Sequence, residues 1–181
     1  MKKLLYGLTK YLNICFSPDY KIYSIPQNIT SMASLNLPPA ALKLSIIDGK
    51  QAVFDVLRNK MILLTPEEWV RQHFVHFLIS DKKYPQSLMG NEILLTLNGM
   101  KKRCDTVVYK KDLTPLVIIE YKAPHIKITQ EVFNQICRYN FVLKVNYLIV
   151  SNGINHYCCK MNYENKTYTF LKEIPLYSEL D

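Results

Sequence analysis

The sequence predicts an α/β domain in which a mixed central β-sheet is flanked by two helices. Short apolar, β-branched segments alternate with Asp-Gly and Asn-Gly pairs, the mark of strands joined by tight turns. Two longer stretches carry apolar residues at helical spacing, each opened by a threonine. The order helix, three strands, helix, strand is that of an α/β layer fold. With 181 residues and 49% hydrophobic content the chain can bury one real core, and no second domain is needed.

Residues 1–40 lack sustained periodicity and include Pro18, Pro26, Pro38 and Pro39, so they read as an extended or loosely attached arm preceding a domain at 41–181. Met32, which opens Met-Ala-Ser-Leu-Asn-Leu, suggests an alternative start of translation that would set residues 1–31 apart. From Leu42 the run Leu-Lys-Leu-Ser-Ile-Ile, then Asp48-Gly49, then Gln-Ala-Val-Phe predicts a hairpin with a two-residue turn. Thr65-Pro66-Glu67-Glu68 predicts a helix start, with Thr65 as cap, Pro66 at the first helical position and Glu68 placed to close a capping box. That helix should run to about Ile79, with Val70, Phe74, Phe77 and Leu78 facing the core.

A second hairpin is expected at 91–97 and 102–109 around Asn98-Gly99, and a third strand from Leu116 to Lys122. Thr129 caps a second helix to about Lys144, and Tyr147 to Ser151 forms a short apolar strand stopped by Asn152-Gly153. Asn165-Lys166, between Tyr163 and Tyr168, suggests one more hairpin.

Composition narrows the function classes. Twenty-three Lys+Arg against 15 Asp+Glu give a formal charge of +8, which favours a polyanionic partner such as DNA, RNA or an anionic surface; a solvated basic surface is the plainer alternative. Five cysteines without C-x-x-C spacing argue against a disulfide framework and a structural zinc site, and point to a reducing, cytoplasmic compartment. Adjacent Cys158 and Cys159 should point to opposite faces of a strand as small apolar residues. Met1-Lys2-Lys3-Leu4-Leu5 hints at a secretory leader, but Lys10 interrupts it and no cleavage site follows. No run approaches the ~20 apolar residues of a membrane span, and no phosphate-binding loop marks an NTP motor.

The third strand reads Ile118-Ile119-Glu120-Tyr121-Lys122, and period-2 alternation puts Glu120 and Lys122 on one face with Tyr121 on the other. Asp105 interrupts the preceding strand between Cys104 and Thr106, where a hairpin-like neighbour can bring it beside Glu120. Two carboxylates and a strand carbonyl, that of Tyr121, suit Mg²⁺ or Mn²⁺, which prefer oxygen ligands. Lys122 could then orient water or steady the phosphorus during phosphodiester hydrolysis. The plain alternative is an ion pair at a sheet edge. His73 and His76, three apart on the first helix, read as packing or surface residues, Trp69 as a core or interface residue, and His125 could touch a phosphate.

Asp105, fourteen intervening residues, then Glu120-x-Lys122 resembles the signature of the PD-(D/E)XK nucleases. More narrowly, Thr65-Pro66-Glu67-Glu68-Trp69-Val70-Arg71-Gln72 through Glu120-Tyr121-Lys122-Ala123-Pro124 resembles the N-terminal nuclease domain of type I restriction enzyme R subunits, over roughly residues 42 to 172. The resemblance implies a restriction-endonuclease-like αβββαβ core and Mg²⁺-dependent DNA cleavage. Asp105 and Glu120 would be metal ligands and Lys122 the water-orienting residue.

The resemblance also implies an acidic residue on the first helix. Its spacing to Arg71 favours Glu68, although Glu67 lies nearer the apolar stripe. Gln135 and Tyr139, four apart, are similar to the Gln-x-x-x-Tyr motif of RecB-like members, which supports the site and contacts DNA; core packing also explains Tyr139. Arg138 and Arg71 are the remaining candidates for DNA contact, Arg138 equally a solvated helix residue. Cys104 stands where the family name has proline. No translocase accompanies these 181 residues, so a separate motor or specificity subunit is the expected partner. A non-catalytic nucleic-acid-binding or assembly module of the same fold is the competing expectation, and a small-molecule hydrolase a third.

Overall fold

A computed structural model describes residues 32–97 and 99–180, apart from the side chains of Leu97, Met100, Lys102, Arg138, Tyr139, Phe141, Val142 and Leu143. All of the described residues belong to one unit, Ser31–Asp181. The alternative start at Met32 concerns residues 1–31, which lie outside the described residues.

Strand β1 (Leu44–Ile47) pairs antiparallel with β2 (Lys50–Asp55). Asp48 and Gly49 both take positive φ, 49° and 71°, the backbone of a type I′ turn whose twist matches that of the strands. A third strand not foreseen from the sequence, β3 (Lys60–Leu63), extends this into a three-stranded sheet. Its four residues are too few to show periodicity. The Asp55 carboxylate makes the turn before it, accepting from the backbone N–H groups of Leu57 at 2.8 Å and Arg58 at 3.0 Å.

Helix α1 (Pro66–Ser80) begins as expected, with Thr65 Oγ1 accepting from the Glu68 N–H at 3.1 Å. Strands β4 (Met89–Leu97) and β5 (Met100–Tyr109) follow, Gly99 holding φ of 76° in their turn while Asn98 lies outside the described residues. Next come β6 (Pro115–Tyr121) and α2 (Gln130–Leu143), capped by Thr129 Oγ1 accepting from the Val132 N–H. The chain continues through β7 (Tyr147–Ser151), β8 (His156–Asn162) and β9 (Thr167–Phe170).

The large sheet has the order β4-β5-β6-β7-β8-β9. Only β6 and β7 run parallel, as the α2 crossover between them requires, and the other neighbours are antiparallel. Around the central strands this is the αβββαβ order expected of a restriction-endonuclease-like core. Val70, Phe74 and Leu78 of α1 pack with Val117, Ile119 and Tyr121 on one face of the sheet. Phe133 and Ile136 of α2 pack with Ile118, Leu148 and Val150 on the other. Strand β6 is therefore covered on both faces, which explains its unbroken apolar run. Cys158 and Cys159 divide between the two clusters, as alternation predicted.

Residues 32–40 form no strand or helix but are pinned to the domain. The Trp69 indole donates to the Ala33 carbonyl at 3.1 Å, and the Asn36 N–H donates to Gly153 O at 2.7 Å. Gly153 has φ of +81°, and a Cβ there would lie 2.6 Å from the Leu35 side chain, so glycine is needed for this close approach.

Asp55 joins the two sheets. Fully buried, it accepts from Asn91 Nδ2 at 2.8 Å and Arg58 Nε at 2.5 Å, while Thr106 Oγ1 donates to Asn91 Oδ1 at 2.6 Å. Burial pushes the Asp55 carboxyl upward, yet the bonds from Asn91 and Arg58 outweigh it and hold the group below the ordinary carboxylate value. A folded-state value below the unfolded one stabilises the protein above the unfolded value, and the gain is lost as pH falls through the folded one. Asp55→Asn should therefore lose about 1.5–3 kcal/mol near neutral pH. Denaturant titrations should show the gap to wild type closing in acid, and a pH-independent gap would contradict this account.

Candidate active site

The pairing of Thr106 with Ile119 in the β5–β6 ladder, carried one step further, sets Asp105 opposite Glu120. The Asp105 carboxylate closes onto the charged end of β6, where its Oδ2 accepts from the backbone N–H of Tyr121 at 2.8 Å. Tyr121 is the residue between Glu120 and Lys122, so the acid of one strand is bonded to the centre of the E-x-K segment of the next. Glu120 is buried and lies beside Val150 of β7. The Lys122 N–H donates to Ser151 O at 2.9 Å, anchoring the half-buried lysine just past the strand end.

The N-terminal turns of α1 form the opposite wall. Glu68 points inward, accepting from Gln72 Nε2 at 2.8 Å and Arg58 Nη2 at 3.2 Å and lying 3.6 Å from Arg71 Nε. These partners take its carboxylate, so the Thr65 half of the capping box is formed while Glu68 serves the interior. Glu67, half-exposed one position earlier, also feels the charges of the site. Its carboxyl is pushed upward by burial and by the charge of Asp105, with Lys122 and Arg71 acting in the other direction. Glu68 is the more deeply buried of the two helix acids and lies nearer Arg71, at 3.6 Å against 3.9 Å for Glu67, because a step of one residue on a helix turns the side chain by about 100°.

Arg71 stands in the same cluster. Its side chain is 4% exposed and sits among Asp105 at 3.4 Å, Glu68 at 3.6 Å, Glu67 at 3.9 Å and Glu92, with its guanidinium carbon 5.7 Å from the Tyr121 ring centroid. Burial works against its charge, but Glu68, Glu92 and Asp105 outweigh that and raise its pKa further. In this arrangement the guanidinium is enclosed by carboxylates and not presented at the surface.

Glu92 was missed in the sequence. It lies on β4 between the pairs Asn91↔Thr106 and Ile93↔Cys104, hence opposite Asp105, and it binds both Arg71 and Arg103. Burial raises its carboxyl, but the two arginines prevail and hold it below the ordinary value. The available signal was the same as for Asp105, a lone acid in a strand.

Gln135 is exposed on α2, whose inward face is built by Phe133, Ile136, Cys137 and Asn140. The structure does not carry Gln135 inward, since residues i, i+3, i+4 and i+7 from Phe133 exclude it. The side chains of Arg138 and Tyr139 lie outside the described residues. His73 is buried with Nδ1 at 2.9 Å from the Trp69 carbonyl, and His125 is exposed. Among the described residues no group of three or more His, Cys, Asp or Glu side chains is arranged to hold a metal ion. What remains is Asp105, Glu120 and the Tyr121 carbonyl, a hard oxygen set compatible in chemistry with Mg²⁺, which commonly takes one or two carboxylates and completes its shell with water and phosphate.

Comparison with known families matches residues 66–175 to the family described as type I restriction enzyme R protein N terminus (HSDR_N). The chain belongs to this family. As an R-protein N-terminal domain it is matched from the start of α1 to beyond β9, a span that holds Glu67, Arg71, Glu92, Asp105, Glu120 and Lys122. Among solved structures, a fragment of a putative HsdR subunit of a type I restriction enzyme from Vibrio vulnificus YJ016 is similar at 18% identity and a TM-score of 0.47, covering 65% of this chain and 24% of that chain. The R-protein domain thus spans about a quarter of that chain's length. No curated protein matches. Among the described residues no helix is long and apolar enough to cross a membrane.

Proposed function

We propose that this R-protein N-terminal domain is a metal-dependent endonuclease that hydrolyses DNA phosphodiester bonds. The observation that carries the reading is the 2.8 Å bond from the Tyr121 N–H to the Asp105 carboxylate, which ties the acid of β5 to the Glu120-x-Lys122 segment. Asp105, Glu120 and the Tyr121 carbonyl would hold Mg²⁺ or Mn²⁺, which when bound supplies Lewis-acid polarisation of a phosphate oxygen. Lys122 orients the attacking water and offsets charge developing on the phosphoryl oxygens. Glu68, with Glu67 as its alternative, adds a carboxylate on the α1 wall. The net charge of +8 favours the polyanionic substrate, and a separate motor or specificity subunit would deliver it. The four described cysteines are buried free thiols, which suits a reducing cytoplasm.

A second reading, a non-catalytic DNA-binding or assembly module, is favoured by one feature: Arg71 stands 3.4 Å from Asp105 Oδ1. Cleavage assays on supercoiled, linear and single-stranded DNA with and without Mg²⁺ or Mn²⁺ separate the two. The nuclease reading expects metal-dependent nicking or cleavage that falls by about 10²–10³-fold in Lys122→Ala. Salt-sensitive binding without cleavage under any of these conditions would leave only the second.

A further inference from the structure

We propose that Glu92 is a positioning residue which, through Arg71, fixes the orientation of the Asp105 carboxylate; the inference rests on Asp105 being a metal ligand. Glu92 holds φ of 59° inside β4, a left-handed conformation that a non-glycine residue adopts at a cost of about 1–3 kcal/mol. The turn of the hairpin does not require it, because Gly99 makes that turn. The register does not require it either, since Asn91↔Thr106 and Ile93↔Cys104 continue on both sides with no inserted residue. What accompanies the strained backbone is a bridging carboxylate, with Oε1 bound to Arg71 and Oε2 to Arg103.

Arg71 is thereby clamped between Glu92 on β4 and Glu68 on its own helix, the latter at 3.6 Å. The clamped guanidinium presents Nη2 to Asp105 Oδ1 at 3.4 Å while the Tyr121 N–H holds Oδ2 at 2.8 Å. Two contacts on two different oxygens set the carboxylate plane, one from the main chain and one that depends on Glu92. Without Glu92, Arg71 is free to turn toward Glu67 and Glu68, and Asp105 can rotate about its remaining bond. Arg103 sits on the outside of the bridge with a side chain 70% exposed, so it takes no part in orienting Asp105.

Mn²⁺ binding to the full chain without DNA, followed by calorimetry or electron paramagnetic resonance, tests this independently of cleavage. Glu92→Gln is expected to weaken Mn²⁺ binding by about 10- to 100-fold, the usual effect of removing a group that orients a ligand. Arg103→Gln should leave it unchanged. Glu92→Gly, whose backbone accepts the left-handed conformation freely, should bind as weakly as Glu92→Gln, which keeps the test open if the glutamine variant folds poorly. Unchanged Mn²⁺ affinity in a folded Glu92 variant, or an equal loss in Arg103→Gln, overturns the positioning role alone. Failure of the wild type to bind Mn²⁺ overturns the metal-site reading along with it.

Discussion

Asp105→Ala is expected to reduce metal-dependent DNA cleavage by about 10³-fold or more, since it removes one of only two carboxylates in the candidate metal set. The fold should survive. Asp105 is 21% exposed at its side chain, and its neighbours Cys104 and Thr106 are buried and keep β5 in place. The substitution leaves the Tyr121 N–H without its acceptor, at a cost of about 1–3 kcal/mol. Asp105→Asn keeps an oxygen for that N–H and removes only the charge, so it should retain near-native stability and be almost as inactive. Circular dichroism and a thermal melt read alongside the cleavage rate separate lost chemistry from lost structure. Cleavage at the wild-type rate by either folded variant would remove Asp105 from the mechanism, and with it the central reason for calling the site a nuclease.

Arg71→Ala carries the largest expected effect on stability. The guanidinium is the shared partner of Glu67, Glu68, Glu92 and Asp105, and it is almost wholly buried. Taking one partner from a buried ion cluster costs about 3–5 kcal/mol, because the remaining charges stay desolvated and repel one another. At about 2–4 °C per kcal/mol for a domain of this size, the melting temperature should fall by roughly 10 °C. Arg103→Ala removes an exposed partner of the same Glu92 and should melt close to wild type. Similar melting points for the two arginine variants would show that the cluster around Arg71 does not hold the domain together.

Where local rules govern, the amino-acid order was enough. Asp48-Gly49 specified a type I′ turn, Thr65 and Thr129 specified helix starts, and Glu120-x-Lys122 ended a strand predicted from its β-branched run. These depend on backbone dihedrals and hydrogen bonds within four residues, so neighbours in sequence determine them. The αβββαβ order could be read for the same reason, and the family resemblance from the residue types at Asp105 and Glu120-x-Lys122. Strand β3 could not, being too short for a pattern to form.

The site was only half legible. Its central acids stood out as lone charges in apolar strands, but their surroundings are long-range. Arg71 reaches Glu92 across 21 positions and Asp105 across 34. Whether an arginine on α1 faces solvent or four carboxylates depends on where β4 and β5 lie against the helix. The same docking decided that Glu68 turns to Arg58, Gln72 and Arg71, and that Gln135 stays outside. Residue order was enough for most elements and for the chemistry they could carry, whereas the packing of helix on sheet settled which charges are enclosed together, because electrostatic partners are chosen by distance and burial and not by spacing along the chain.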